Sequence, residues 1–284
     1  MADSQVSLGA SLIYAWDLLR THWRAIWGGL ALMSLTATVQ AAGAYAGNIP
    51  MMFVGIVAQV VTLPVLYGAI FRLAFADRHT GDAAFTPGPS GLQWRAMEWR
   101  LLASSLLLVV FLAIILMLAF VLAGSVAIGI LMNKGITTPP LTPEAFAAAL
   151  GPTGQLAITV IALAGMMALL FFYVRLRLAV AATADSGKVV VLKSWPLTKG
   201  QFIRIFGAIF LIQLPLTLVQ AVLAAMADGD ALGAAGAGQM APGAAMGSAL
   251  VTGVVYGGVV LPLTVSAIAY FFRGVSTSTT VANR

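Results

Sequence analysis

The sequence predicts an all-α polytopic membrane protein: six transmembrane helices forming three hairpins, each preceded by a cytoplasmic interfacial helix, with both termini cytoplasmic. Three observations lead there. Hydrophobic residues make up 61% of 284 residues and charged ones only 8%, with a mean hydropathy of +0.99, which excludes a soluble domain. Six apolar segments, 25–47, 49–71, 101–132, 156–174, 205–227 and 244–272, contain no Asp, Glu, Lys or Arg, so each can cross roughly 30 Å of hydrocarbon without burying a charge. Finally, fourteen of the fifteen Lys and Arg fall on one side of this pattern. That side is expected to be the cytoplasm.

The distribution of charge follows the spans. The cytoplasmic segments hold Arg20 and Arg24, then Arg72, Arg78, Arg95 and Arg100, then Arg175, Arg177, Lys188, Lys193, Lys199 and Arg204, and last Arg273 and Arg284. The opposite side holds only Lys134, beside Glu144, Asp228 and Asp230. The net charge of +6 therefore divides into +8 and −2. A basic rim beside lipid attracts anionic headgroups at roughly 1 kcal/mol per surface-proximal cation. The cations hug span ends and form no soluble domain, so nucleic acid is not an expected partner.

Taken in order, the first segment places Leu8, Leu12, Trp16, Leu19 and Trp23 at helical spacing with Asp17, Arg20 and Arg24 opposite, the pattern of an interfacial amphipathic helix. Small residues at 39–44 resemble a signal-cleavage site, but 24 residues precede the apolar run, and the first span is expected to be retained. A tight turn near Gly47, Asn48 and Pro50 joins spans one and two. The second interfacial segment, 90–100, opens with Ser90 and Gln93 at capping-box spacing and carries Trp94, Arg95, Trp99 and Arg100. Between spans three and four, Thr142, Pro143 and Glu144 should start a short helix that Gly151 and Pro152 end. The third interfacial segment, 186–204, sets Val189, Leu192 and Trp195 on one face before Pro196, and Thr198 with Gln201 caps the next helix. The 228–243 connection is rich in Gly and Ala.

These segments read as three copies of one unit, 1–77, 78–182 and 183–284, within a single membrane domain. Trp16, Arg20, Trp23, Ile26, Trp27 and Gly28 align without a gap on Trp195, Lys199, Phe202, Ile205, Phe206 and Gly207. Leu63, Pro64, Gly68 to Ile70 and Arg72 resemble Leu261, Pro262, Ser266 to Ile268 and Arg273. All three units start on the same side, so they would be related by an axis along the membrane normal.

Chemistry-bearing residues are few. Without cysteine there is no thiolate nucleophile or thiolate metal site. His22 and His79 both lie at the span boundary, away from any haem position and without a second ligand at usable spacing. No paired carboxylates share a membrane depth. The sequence therefore offers no catalytic residues, no metal ligands and no cofactor. What the spans offer is Gln40, Gln59, Gln155, Gln213, Thr217 and Gln220, with prolines at 64, 215 and 262. Gln213, Thr217 and Gln220 share one helical face, which suits either a polar lining or interhelical hydrogen bonds. In the last span Ala245, Ala249, Gly253 and Gly257 form a small-residue ridge for close helix packing, expected to face inward.

The stretch from Arg175, Leu176, Arg177 and Leu178 through Ser194, Trp195, Pro196, Leu197, Thr198, Lys199, Gly200 and Gln201 to Phe202, Ile203, Arg204, Ile205, Phe206 and Gly207 resembles a recurring signature of bacterial membrane proteins. It is similar to the membrane domains of the glycerophosphodiester phosphodiesterase membrane-domain family and of related multi-span families of unknown function. The phosphodiesterase chemistry of those enzymes is expected in a separate soluble domain that this sequence lacks, so the resemblance transfers no catalytic residue. It implies a stand-alone multi-pass module of the bacterial inner membrane. The expected function is non-catalytic: binding of lipid or of a partner membrane protein, as an accessory or scaffold subunit of a larger complex. The alternative is a carrier or flippase for a lipid or uncharged solute. The residues expected at lipid headgroups are Trp16, Arg20, Trp23, Arg24, Trp94, Arg95, Trp99, Arg100, Arg175, Arg177, Trp195, Lys199 and Arg204, with anionic lipids as partners.

Overall fold

The computed structural model describes residues 7–136, 138, 142–191, 195–198, 200–231 and 242–282. Among them every regular element is helical: α1 (Leu8–Tyr45), α2 (Ile49–Phe75), α3 (Ala96–Asn133), α4 (Pro143–Ser186), α5 (Phe202–Ala231), α6 (Pro242–Val255) and α7 (Leu261–Ala282). Six helical stretches are long and apolar enough to cross a membrane, α6 and α7 counting as one because a π-helical turn, Tyr256–Val260, joins them.

The interfacial helices differ from the sequence reading. At 38 residues, α1 is about 57 Å long at 1.5 Å per residue, well beyond the hydrocarbon thickness. No Pro interrupts it and its periodicity never shifts phase, so the expected first interfacial helix is simply the start of the first span. Ser7 caps it, its Oγ accepting from Ala10 N at 3.1 Å. The face that α1 buries there is the small one, Ser11 and Ala15, while Trp16 and Trp23 remain about half exposed.

The second expected interfacial helix is likewise absent as a separate element. The chain instead passes through two 3-10 turns, Ala83–Phe85 and Pro89–Gly91, before α3 begins. Ser90 sits at φ +57°, inside the second turn, and forms no capping box with Gln93. Glu98 takes that role: its Oε2 accepts from Arg95 N at 2.7 Å, three residues back. Gly91, at φ +72°, lies over α1, where a Cβ would stand 2.9 Å from Ile26 Cα. In the third segment the described element is a 3-10 turn, Pro196–Thr198, ahead of α5.

Residues up to Ser105 and from Arg177 onward form one compact unit, and Leu106–Leu176 form a second. In the first unit α1 packs against α2, α5, α6 and α7. Its centre includes Ala15, Ile212, Leu216, Val260 and Ala267. A ring series, Tyr67, Phe71 and Phe75 on α2 with Phe272 on α7, ties these two helices together. In the second unit α3 and α4 pair through Phe111 on Phe172 and Ala119 on Gly165. There Gly151, at φ +69°, breaks α4 after its first turns, as Gly before Pro152 should. Lys134 Nζ donates to the freed carbonyls of Ala149 and Leu150, both at 2.9 Å.

Candidate functional site

A cavity of about 490 Å³ with both polar and apolar lining lies within the first unit, between α1, α2, α5 and the α6–π junction. Glycines create it. On α2, Gly55 meets α1 so closely that a Cβ would stand 2.7 Å from Gln40 Cβ, and at Gly43 of α1 a Cβ would stand 2.7 Å from Met52 Cα. This close crossing sets two carboxamides side by side, with Gln59 Nε2 donating to Gln40 Oε1. On the other flank of α1 the small-residue ridge does the same. A Cβ at Gly253 would lie 2.6 Å from Thr38 N, and one at Gly257 would lie 2.7 Å from Ser34 Cα. Ala249 is fully buried on the same ridge, whereas the side chain of Ala245, one turn earlier, lies outside the described part. That packing brings Thr252 and Tyr256 to the cavity, where the Tyr45 and Thr252 hydroxyls meet at 3.3 Å. Leu216 and Gln220 of α5 supply the remaining side.

Among the described residues the wall therefore combines three carboxamides and three hydroxyls with alanine and leucine, and carries no Asp, Glu, Lys, Arg or His. By helix rise, Gln40 lies about 8 Å and Gln59 about 15 Å from the α1–α2 turn. Both distances are shorter than a roughly 30 Å hydrocarbon layer. Gln220 and Ala44 are exposed at the cavity edge. Tyr256 is also the first residue of the π turn, where Leu261 N donates to the Tyr256 carbonyl five residues back. Such turns are often found at functional sites.

The expected lining row is split by the fold. Gln220 reaches the cavity, but Gln213 and Thr217 are absent from its wall, and Thr217 Oγ1 donates to the Gln213 carbonyl of its own helix at 3.2 Å. Gln40 and Gln59 carried a sequence signal as rare polar residues in spans. Tyr45, Thr252 and Tyr256 carried none, since hydroxyls near span ends are common.

At the opposite end the charged residues meet in two clusters. Arg72 and Glu98 are both fully buried, Nη1 to Oε1 at 2.6 Å, an ion-pair contact without a hydrogen bond's alignment. Arg72 Nε also donates to the Ala84 carbonyl at 2.9 Å. Arg72 thus serves as an internal tie for the 83–98 segment and not as part of a headgroup collar. Gly68 leaves room for this pair, because a Cβ there would stand 3.1 Å from Glu98 Cδ. In the second cluster Asp185 accepts from His79 Nε2 at 3.1 Å and pairs with Arg78 at 3.5 Å, His79 stacks on Phe85, and Arg273 pairs with Asp77.

The collar residues divide by burial. Trp16, Arg20, Trp23, Arg24, Trp99 and Arg100 are exposed, and Arg24 lies over the Trp23 ring. Arg95 is exposed while its guanidinium donates to the Ala83 carbonyl, and Trp94, half-buried, meets the Trp99 ring edge-on. Arg175 and Arg177 are half-buried, the first over the Phe171 ring and the second donating to Tyr67 Oη at 2.8 Å. Trp195 and Arg204 are half-buried, Arg204 donating to Gln201 at 3.3 Å. Lys199 lies outside the described residues. Comparison with known proteins identifies no family for the chain: no family model, no curated protein and no solved structure matches it.

Proposed function

We propose that this chain is a non-catalytic membrane module that binds a lipid, with the head of that lipid seated in the cavity between α1, α2, α5 and the α6–π junction. The observation that carries this reading is a cavity lined by carboxamides and hydroxyls, with no charged residue among its described wall residues, whose edge residues Ala44 and Gln220 are exposed. A cavity of this size falls within the ordinary range for small-molecule sites. The exposed Trp and Arg at the other end fit an anionic membrane surface, in keeping with cytoplasmic termini and a bacterial inner membrane. The test is native mass spectrometry of the full chain after gentle extraction. A retained lipid that Ala44→Phe displaces supports the reading; a lipid-free chain, or equal retention by A44F, refutes it. The same extraction tests the accessory-subunit role through a stoichiometric protein partner.

A second reading, a carrier or flippase for a lipid or uncharged solute, draws on the π turn, whose Tyr256 lines the cavity, and on Pro262 just after it. There the helix has an irregular hydrogen-bond ladder that a rearrangement could use. Transbilayer movement of a fluorescent lipid in liposomes holding the purified chain would favour it.

A further inference from the structure

We infer that the cavity selects an uncharged head carrying free hydroxyl groups, that of a diacylglycerol-type lipid, over a phosphate or ammonium head. This deepens the lipid-binding reading above and rests on it. The first argument is charge. Among the described residues the wall carries no Asp, Glu, Lys, Arg or His, and Gln40 and Gln59 lie about 8 and 15 Å from the α1–α2 turn, so a phosphate seated on them would lose its water without gaining a counter-charge.

The second argument is the hydrogen-bond inventory. Carboxamides and hydroxyls each donate and accept, so the wall offers both roles in balance. Phosphate esters mostly accept, and ammonium groups only donate; a hydroxyl does both. The Gln59–Gln40 bond uses one N–H of Gln59 and the Gln40 carbonyl, leaving the Gln40 N–H groups and the Gln59 carbonyl adjacent. A single hydroxyl can bridge that donor and acceptor.

The third argument is access. Gln220 and Ala44 belong to the cavity wall and both are exposed. Acyl chains attached to a seated head can leave past these residues into lipid, whereas a fully polar solute would have to cross hydrocarbon to enter.

Three probes with identical chains separate the alternatives: dioctanoylglycerol, its 3-acetyl ester, which accepts but cannot donate, and dioctanoyl phosphatidic acid. Each is titrated against the full chain in phosphatidylcholine nanodiscs and read by native mass spectrometry. Dioctanoylglycerol should be retained about 70-fold over the phosphatidic acid, the ratio set by burying one charge, and about 3- to 20-fold over the acetyl ester. Gln59→Leu should erase the preference over the acetyl ester, as should Gln220→Leu at the exposed edge if the first variant folds poorly. Preferential retention of the phosphatidic acid, or a preference unchanged in both variants, would overturn the inference while leaving a lipid site intact. Retention of none of the three overturns it as well, and the A44F comparison on the native lipid then decides the underlying reading separately.

Discussion

Glutamine at position 98 is the substitution whose consequence the structure specifies most fully. Glu98 and Arg72 have no exposed side-chain surface, so neither charge can turn to water when its partner is lost. Glu98→Gln keeps the volume and an acceptor for Arg95 N but leaves the Arg72 guanidinium without a counter-charge. Removing one member of a buried pair costs about 3–5 kcal/mol, or roughly 150-fold and upward in the folding equilibrium. Arg72→Met in the same chain removes the stranded charge, and with it Nη2, which is buried without a hydrogen-bond partner. The double variant should therefore recover part of the loss, with a coupling of at least about 2 kcal/mol. The assay is reversible unfolding in mixed micelles with sodium dodecyl sulfate, followed by tryptophan fluorescence. Strict additivity of the two substitutions, or a cost for E98Q below about 1 kcal/mol, would refute the view that this pair is an isolated buried tie. Gly68→Ala serves as a check from the other side. Its methyl would push on the Glu98 carboxylate, so G68A should lose most of its effect in a Glu98→Ala background, where the group it meets is gone.

Further outcomes follow from the same geometry. Gly257→Ala should destabilise by about 1–3 kcal/mol, because its methyl meets the Ser34 backbone, whereas Gly258→Ala, whose nearest neighbour is Ser34 Oγ at 3.6 Å, should stay within about 0.5 kcal/mol in the same unfolding assay. Lys134→Met removes the two donors that hold the end of the first turns of α4, and hydrogen exchange of amides 144–150 should quicken several-fold with the rest of α4 unchanged. Since the chain has no cysteine, Thr80→Cys and Asn133→Cys report sidedness cleanly; an impermeant maleimide added to intact cells should label only the second.

The two ends of the molecule were unequally legible. Gly55 looked like an ordinary small residue in an apolar helix, yet it marks where backbones touch, and that contact places Gln40 beside Gln59. Nothing in a one-dimensional pattern says which of six apolar helices will meet. Gln213, Thr217 and Gln220 illustrate the converse. Helical spacing puts them in one row, but α5 presents Gln220 to the cavity while Thr217 bonds back to its own helix. At the other end Arg72 reads as one more rim cation, because charge counting sees side and not depth. Its partner Glu98 is 26 residues away, across a segment whose 3-10 turns depend on Gly91 lying against α1.

The sequence by itself determined the helical class and the six apolar spans, because a continuous apolar run of that length has few alternatives to a membrane-crossing helix. It also determined the breaks at Asn48 and Gly151, where capping and backbone freedom act within a few residues. Only the tertiary structure decided that Arg72 and Glu98 neutralise each other inside the protein and that glutamines from three helices share one cavity. Those features rest on contacts between segments far apart in the chain. Local periodicity fixes which face of a helix is apolar, but only close packing decides which neighbour that face meets.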